Sequence, residues 1–214
     1  MAHLVAVEPS ARTYGLLHAN VAAAGLTSRT TLLRLALGAA PGTAQLTYYP
    51  RMPGNSTLHP AAQWEARVAF REERRRSMYE SKQVTCEVAT LSEVLRRAAV
   101  AEVALLKLDV EHHEVEVLGG IEPPLWQRVQ QVVVETHTAD ACAGVLGMLG
   151  QHFAVVESWP DESLAQCGLE HAIVTARLPK SREHERKERR DPEGERMCET
   201  NGVEPKVSHV HDDV

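Results

Sequence analysis

"LLKLDVEHHEVEVLGGI", residues 105–121, passes from an apolar run into Asp109, Glu111, His112, His113 and Glu114 within a few positions. The apolar part predicts a buried strand over residues 103–110, and the segment from about 113 to 118 predicts a helix. Acids at the start of a helix are favoured by its dipole, so solvation accounts for the cluster in one way. A binding site accounts for it in another, because ligands of open α/β sheets sit outside the carboxyl ends of the strands. The surrounding sequence has to decide between them.

On the N-terminal side, "HLVAVEP" (3–9) is a short apolar run closed by an acid and a proline, the pattern of a strand that stops abruptly. "SARTYGLLHANVAAAGL" then spaces Tyr14, Leu17, Val21 and Ala24 as one helical face, with Ser10 placed as N-cap and Gly25 at the stop. "TTLLRLALG" predicts a second strand and "TAQLTYYP" a short third one. "KQVTCEVATLSEVLRRAAV" predicts a strand over 84–88 and a helix that turns Leu91, Val94 and Leu95 inward behind a Thr90 or Ser92 cap. Beyond the opening stretch come a strand in "VQQVVVETH", a helix over about 140–149, and strands in "HFAVVES" and "EHAIVTARL". Alternating strands and helices with near-continuous apolar strands imply an α/β fold with a mostly parallel sheet covered on both faces. The last two strands, joined without a helix, form an antiparallel C-terminal edge.

Two segments depart from this scheme. Residues 51–80 open on the turn-rich "RMPGNSTLHP" and continue into a charged helix from Trp64 to Tyr79, an insertion of the kind that covers sites. After Pro179 the chain mixes both charges with almost no apolar periodicity, so residues 180–214 are expected to be a disordered tail attached to a domain of residues 1–179. His209, His211, Asp212 and Asp213 in that tail have no second shell to hold them as metal ligands.

A chain of 214 residues suits one domain, and a net charge of -6 argues against a broad nucleic-acid surface. The basic "REERRR" (71–76) is interleaved with Glu72 and Glu73 and reads as a solvated helix face. The 4 cysteines form no C-x-x-C pair, which fits a reduced, cytoplasmic compartment. No stretch reaches the ~20 apolar residues of a membrane span, and no basic segment precedes an apolar leader.

Glu8, Asp109 and Glu135 each close a different predicted strand, and three such acids are hard to assign to capping alone. A carboxylate at the end of an early strand suits ribose hydroxyls in nucleotide-type sheets. Strand alternation places Asp109 and Glu111 on one side, where they could hold or deprotonate a substrate hydroxyl. With His113, Glu135 and His137 they could also cage a divalent metal, but no tight ligand spacing demands one, and no metal is assigned.

The run "VAVEPSARTYGLLHANVAAAGL", then "LALGAAPGTAQLTYYPRMPGNSTL", "ATLSEVL", "LLKLDVEHHEVEVLGGI" and "VQQVVVETH", with "CGLEHAIVTAR" at the end, resembles the FkbM-type methyltransferases from about Leu4 to Leu178. The resemblance implies a class I, Rossmann-like fold and a methyl transfer from S-adenosylmethionine to a hydroxyl of a small molecule, sugar or lipid. It implies that Glu8 binds the cofactor ribose, that Ala36 and Leu37 flank the adenine, and that Asp109 lies beside the methionine moiety. Glu111 and His113 would stand near the acceptor, with His113 or Asp109 as base, and Asn55, Ser56, Glu135 and His137 at the substrate mouth.

Two departures from the family pattern follow. A small residue is usual near His112, in "DVEG"-like stretches. The family also begins with a strand and a glycine-rich turn, whereas Met1 stands only a few residues before Glu8. The first strand-helix unit is therefore expected to be missing from a truncated chain, leaving unpaired inner edges beside the strands that end at Glu8 and Asp109, and with them a tendency to self-associate. One rival reading is a catalytically inactive fragment serving as a binding or regulatory module. Another is a metal-assisted enzyme using Asp109, Glu111, His113 and His137.

Overall fold

The computed structural model describes residues 2–61, 77–161 and 171–178. Most of the charged helix expected over 64–79, the start of "CGLEHAIVTAR" and the whole of the 180–214 tail lie outside the described residues.

The chain opens with β1 (Leu4–Val7), closed by Pro9, and α1 (Ala11–Ala23). The Ser10 side chain accepts the Thr13 N–H, satisfying one of the free donors of the first turn. Gly25 takes φ 68, the left-handed conformation that ends helices and that glycine adopts without a Cβ penalty. Only Val21 of α1 is buried, with Tyr14 and Leu17 half-buried beside it.

The single strand expected in "TTLLRLALG" is two. β2 (Thr30–Leu33) runs parallel to β1, and β3 (Ala36–Leu37) runs parallel to β5 (Lys82–Ala89), which also pairs antiparallel with β4 (Gly42–Tyr48). Arg34 and Leu35 make the crossing between the two sheets, and Leu35 is buried at the break. Periodicity could not reveal this, because both halves of the stretch are apolar enough to be strand.

α2 (Leu91–Arg97) is capped by Thr90, whose side chain accepts the Glu93 N–H, and it buries Leu91, Val94 and Leu95 as expected. Ser92, the other candidate cap, is buried and donates to Gly120 O at 3.1 Å. β6 is short (Leu106–Leu108), followed by α3 (Glu114–Gly119), α4 (Pro123–Trp126), β7 (Gln131–Thr136) and α5 (Ala139–Leu149). β8 (Val155–Pro160) and β9 (Ala172–Arg177) complete a sheet ordered β6-β7-β9-β8, in which both pairings of β9 are antiparallel. The antiparallel C-terminal edge is as expected. The mostly parallel sheet is not: the described strands form three sheets in which parallel and antiparallel pairings are equal in number, because β4 returns as a hairpin partner of β5.

The larger of two apolar clusters packs the sheets against their helices, with Val117, Val129, Val132, Val134, Val145, Leu149 and Val174 essentially inaccessible and Val5, Val7 and Leu33 packed against it, while Ala36, Leu46, Tyr48, Cys86 and Val88 form a smaller one on the β3-β5-β4 sheet. Gly120, just past α3, lies so close to Gly38 that a Cβ on it would meet Gly38 O at 2.3 Å. This backbone contact sets the last turn of α3 beside the end of β3.

Among the described residues β1 pairs only with β2, and β6 only with β7. Between these strands lies a groove of about 550 Å³ with Val5, Val7, Leu91, Val94, Leu106 and Leu108 in its walls.

Candidate functional site

A second cavity, of about 290 Å³, opens at the carboxyl ends of β1 and β6 and gathers residues from widely separated parts of the chain. Glu8 and Thr13 come from the β1–α1 junction, Ala36 and Leu37 from β3, Ser56 and Thr57 from the insert, and Asp109, Glu111 and His113 from the segment after β6. Asn55 is not in its wall. It lies in a single 3-10 turn (Pro53–Asn55), and Ser56, which is in the wall, uses its hydroxyl to accept the Tyr49 N–H at 3.2 Å.

Glu8 stands both at the entry of α1 and in the cavity wall. Its carboxylate accepts the Ser10 N–H at 2.7 Å, which is a helix-entry role, while its side chain also faces the cavity. Burial raises its pKa above the ordinary value, and the bonds from Ser10 and Thr13 pull it part of the way back. The result is a pre-positioned acceptor whose charge is incompletely solvated.

The expectation that Asp109 and Glu111 share a face through strand alternation is corrected. β6 ends at Leu108, and the chain then turns through Glu111 (φ 49) and His112 (φ 73), two successive left-handed residues. Both acids line the cavity, but by way of this turn. Non-glycine residues in that conformation carry strain of about 1–3 kcal/mol each, which persists only where the surroundings hold it. His112 sits where glycine would be unstrained.

Three contacts hold the turn. Thr57 Oγ1 donates to Glu111 O at 2.5 Å, the His112 N–H donates to Glu114 Oε1 at 3.0 Å, and the same oxygen accepts His137 Nδ1–H at 2.8 Å. The side chains of Glu114 and His137 are only 1% and 3% exposed. Burial opposes the charge on both. The hydrogen bond between them nevertheless keeps the Glu114 carboxyl below its usual range and raises His137, with Glu111 and Glu135 adding to the latter. Sequence reading assigned Glu114 no role beyond a helix N-terminal acid. Its position as the first residue of α3 was legible, but its partner, 23 residues away on another element, was not.

His137 and Glu135 do not line the cavity. They lie behind Glu111, where His137 Nε2 is 3.7 Å from Glu111 Oε2, and His171 Nδ1 is 4.0 Å from Glu135 Oε1. Burial is the main reason the Glu111 carboxyl is pushed up to about 7, with the Asp109, Glu135 and Glu114 charges contributing and His137 opposing. His112 is driven down to about 4 by burial and by its His137 neighbour. Asp109 is more open, and Lys107 Nζ reaches it at 3.0 Å.

His113, expected near the acceptor, reaches the cavity wall but bonds elsewhere. Its Nδ1 is 2.6 Å from His59 Nε2, and Glu116 stands 3.6–3.8 Å from the two rings. Burial lowers its pKa, so the ring is neutral near pH 7 and retains base character. His59 and His171 were missed by sequence reading, since neither stands at the carboxyl end of a strand or in a recognisable spacing.

Among the described residues three groups could bind a metal, His59–His113–Glu116, Glu135–His137–His171 and Asp109–Glu111–His137, each with donor atoms within 4.8 Å of one another and the last two sharing His137. Among the described residues no helix is long and apolar enough to cross a membrane.

The model of the FkbM methyltransferase domain matches residues 1–162. The chain is 35% identical over 151 residues to a protein named methyltransferase sdnD from Sordaria araneosa, covering 63% of this chain and 57% of that one. It is 30% identical over 192 residues to the 31-O-demethyl-FK506 methyltransferase FkbM of Streptomyces tacrolimicus, covering 80% and 70%. A third relative, methyltransferase 1 of Beauveria bassiana, is 29% identical over 163 residues, covering 74% and 65%. The chain thus spans less than two thirds of the first of these relatives. No solved structure matches.

Proposed function

Because the chain belongs to the FkbM methyltransferase domain family, we propose that it is the core of an S-adenosylmethionine-dependent O-methyltransferase acting on a hydroxyl of a small molecule, sugar or lipid. The observation that carries this reading is the gathering of Glu8, Ala36, Leu37, Asp109, Glu111 and His113, from three separate parts of the chain, around one cavity. The relative whose name specifies a 31-O-demethyl substrate supports oxygen as the accepting atom.

The residues fit the cofactor. An anchored, half-buried carboxylate at Glu8 suits a ribose diol, which donates two hydrogen bonds to one acid. The buried, apolar Ala36 and Leu37 suit an adenine face, and Asp109 carries negative charge where the methionine ammonium would lie. When bound, S-adenosylmethionine supplies an electrophilic methyl group that a hydroxyl oxygen can displace.

This chain's residues align the acceptor and manage its proton. Glu111, with its carboxyl near 7, and neutral His113 both face the cavity and can accept that proton. Asn55, Ser56, Glu135 and His137 are the second tier of this proposal: Ser56 borders the cavity, Asn55 adjoins it in sequence, and Glu135 and His137 set the charge behind Glu111. Most of the catalytic advantage would come from alignment, which is worth several kcal/mol of barrier when reacting atoms are held in near-attack geometry.

The same reading takes residues 1–179 as one Rossmann-like domain in which, among the described residues, β1 and β6 present edges without a strand partner to the groove between them. The groove also favours the rival reading of an inactive binding module, since it borders the Glu8 side of the cavity.

Calorimetric titration of the chain with S-adenosylmethionine separates the two. Saturable binding weakened at least tenfold by Glu8→Ala is expected, from the loss of charged hydrogen bonds worth about 1.5–3 kcal/mol. No binding by a folded chain would refute the enzyme reading for this chain and leave the binding module.

A further inference from the structure

We propose that Glu135, His137 and His171, joined by Glu111 and Asp109 from the cavity side, form a binding site for one divalent transition-metal ion of the manganese, iron or zinc class. The donor atoms of Glu135, His137 and His171 lie within 4.8 Å of one another, as do those of Asp109, Glu111 and His137, so the two sets meet at a shared imidazole.

That imidazole is already oriented as a ligand. Its Nδ1 is committed to Glu114 Oε1 at 2.8 Å, which leaves Nε2 to face Glu111 Oε2 at 3.7 Å. A carboxylate on the far nitrogen of a histidine is the usual outer support of a metal-bound ring, where it fixes the tautomer and raises ligand basicity.

His171 supplies the independent observation. Among the described residues its buried Nδ1 has no hydrogen-bond partner, an exception among buried polar atoms that calls for an occupant. It points toward Glu135 Oε1 at 4.0 Å, and its ring stands edge-on to His137 with centroids 4.6 Å apart. Separations of 3.7 and 4.0 Å are too long for hydrogen bonds, whereas two donors each about 2.1 Å from one ion stand roughly 3–4 Å apart.

The donor set selects the class of ion. Two imidazoles with carboxylates suit manganese, iron or zinc, while magnesium and calcium favour all-oxygen sets. Charge points the same way, because three carboxylates converge on a partly buried region. The His59–His113–Glu116 group is a poorer host, since its imidazoles already bond each other at 2.6 Å. Ion binding at the Glu135 site stands on geometry alone. Its use, drawing an acceptor hydroxyl toward Asp109 and Glu111 and lowering its pKa, rests on the methyl-transfer reading.

The test uses the full chain, stripped with chelator and titrated with manganese and then zinc, without cofactor, by calorimetry and by the electron paramagnetic resonance of free manganese. One ion per chain is expected. His137→Ala and His171→Gln should each weaken binding at least tenfold, Glu114→Gln should weaken it 10- to 100-fold with stoichiometry kept, and His59→Ala should leave it unchanged. As a readout that needs no variant, bound manganese should broaden the imidazole proton signals of His137 and His171 before those of His59. Absence of saturable binding of either ion would overturn the inference. So would affinity indifferent to His137 and His171 in folded variants, or broadening of His59 first. None of these outcomes depends on S-adenosylmethionine binding, so this inference and the methyl-transfer reading fail separately.

Discussion

Replacing Glu114 tests whether one buried acid holds the site together. One oxygen of Glu114 accepts both the His112 N–H and His137 Nδ1–H, at 3.0 and 2.8 Å. With the two side chains 1% and 3% exposed, water cannot replace what is lost. In Glu114→Ala the imidazole is left buried and unpaired, a defect that costs about 3–5 kcal/mol. Glu114→Gln keeps an acceptor but exchanges charged hydrogen bonds for neutral ones, a loss of roughly 1 kcal/mol. For a unit of Met1–Leu178 each kcal/mol lowers Tm by about 2–4 °C, so about 6–20 °C is expected for alanine and about 2–4 °C for glutamine. Thermal unfolding followed by circular dichroism in excess chelator measures both without a contribution from bound metal. A double-mutant cycle with His137→Ala should give a coupling of about 1–3 kcal/mol. A coupling below about 0.5 kcal/mol, or an alanine variant as stable as the parent, would show that the pair is not the support described.

Four other outcomes are expected. Affinity for S-adenosylmethionine should decline as pH falls through the raised pKa of Glu8, because ribose hydroxyls donate to its ionised form, and Glu8→Gln should show weaker binding that is flat over the same range. The same shift makes ionised Glu8 a cost to folding that sets in as pH rises from the ordinary glutamate value to the raised one, so in acid titrations of stability the glutamine variant should lose that slope. His112→Gly should raise stability by up to about 1 kcal/mol, the relief of a φ of 73 less the entropy of a new glycine; a lower Tm in urea or thermal melts would mean that the His112–His137 ring contact outweighs the strain. Sedimentation velocity should show concentration-dependent self-association through the β1 and β6 edges, reduced by Leu4→Lys with Leu105→Lys, since these residues are 50% and 57% exposed; a monomer at every concentration would count against an open groove.

What the sequence determined by itself is what depends on neighbours along the chain. Ser10 and Thr90 cap their helices and Gly25 ends α1, because a hydroxyl three residues before a free N–H and a glycine free to take positive φ act over a few residues. Glu8, Asp109 and Glu111 could be picked out as strand-end acids for the same reason, and they meet at one cavity. The tertiary structure decided everything that depends on which strand lies beside which. The register that sets Glu135 opposite Ile173 brings His171 next to His137, a proximity no local spacing encodes. The crossing at Arg34 and Leu35, the left-handed turn at Glu111 and His112, and the burial of Glu114 under His137 are likewise products of packing. A local pattern reports which face of a segment is apolar, and only the assembled sheets determine which polar groups are then shut in together.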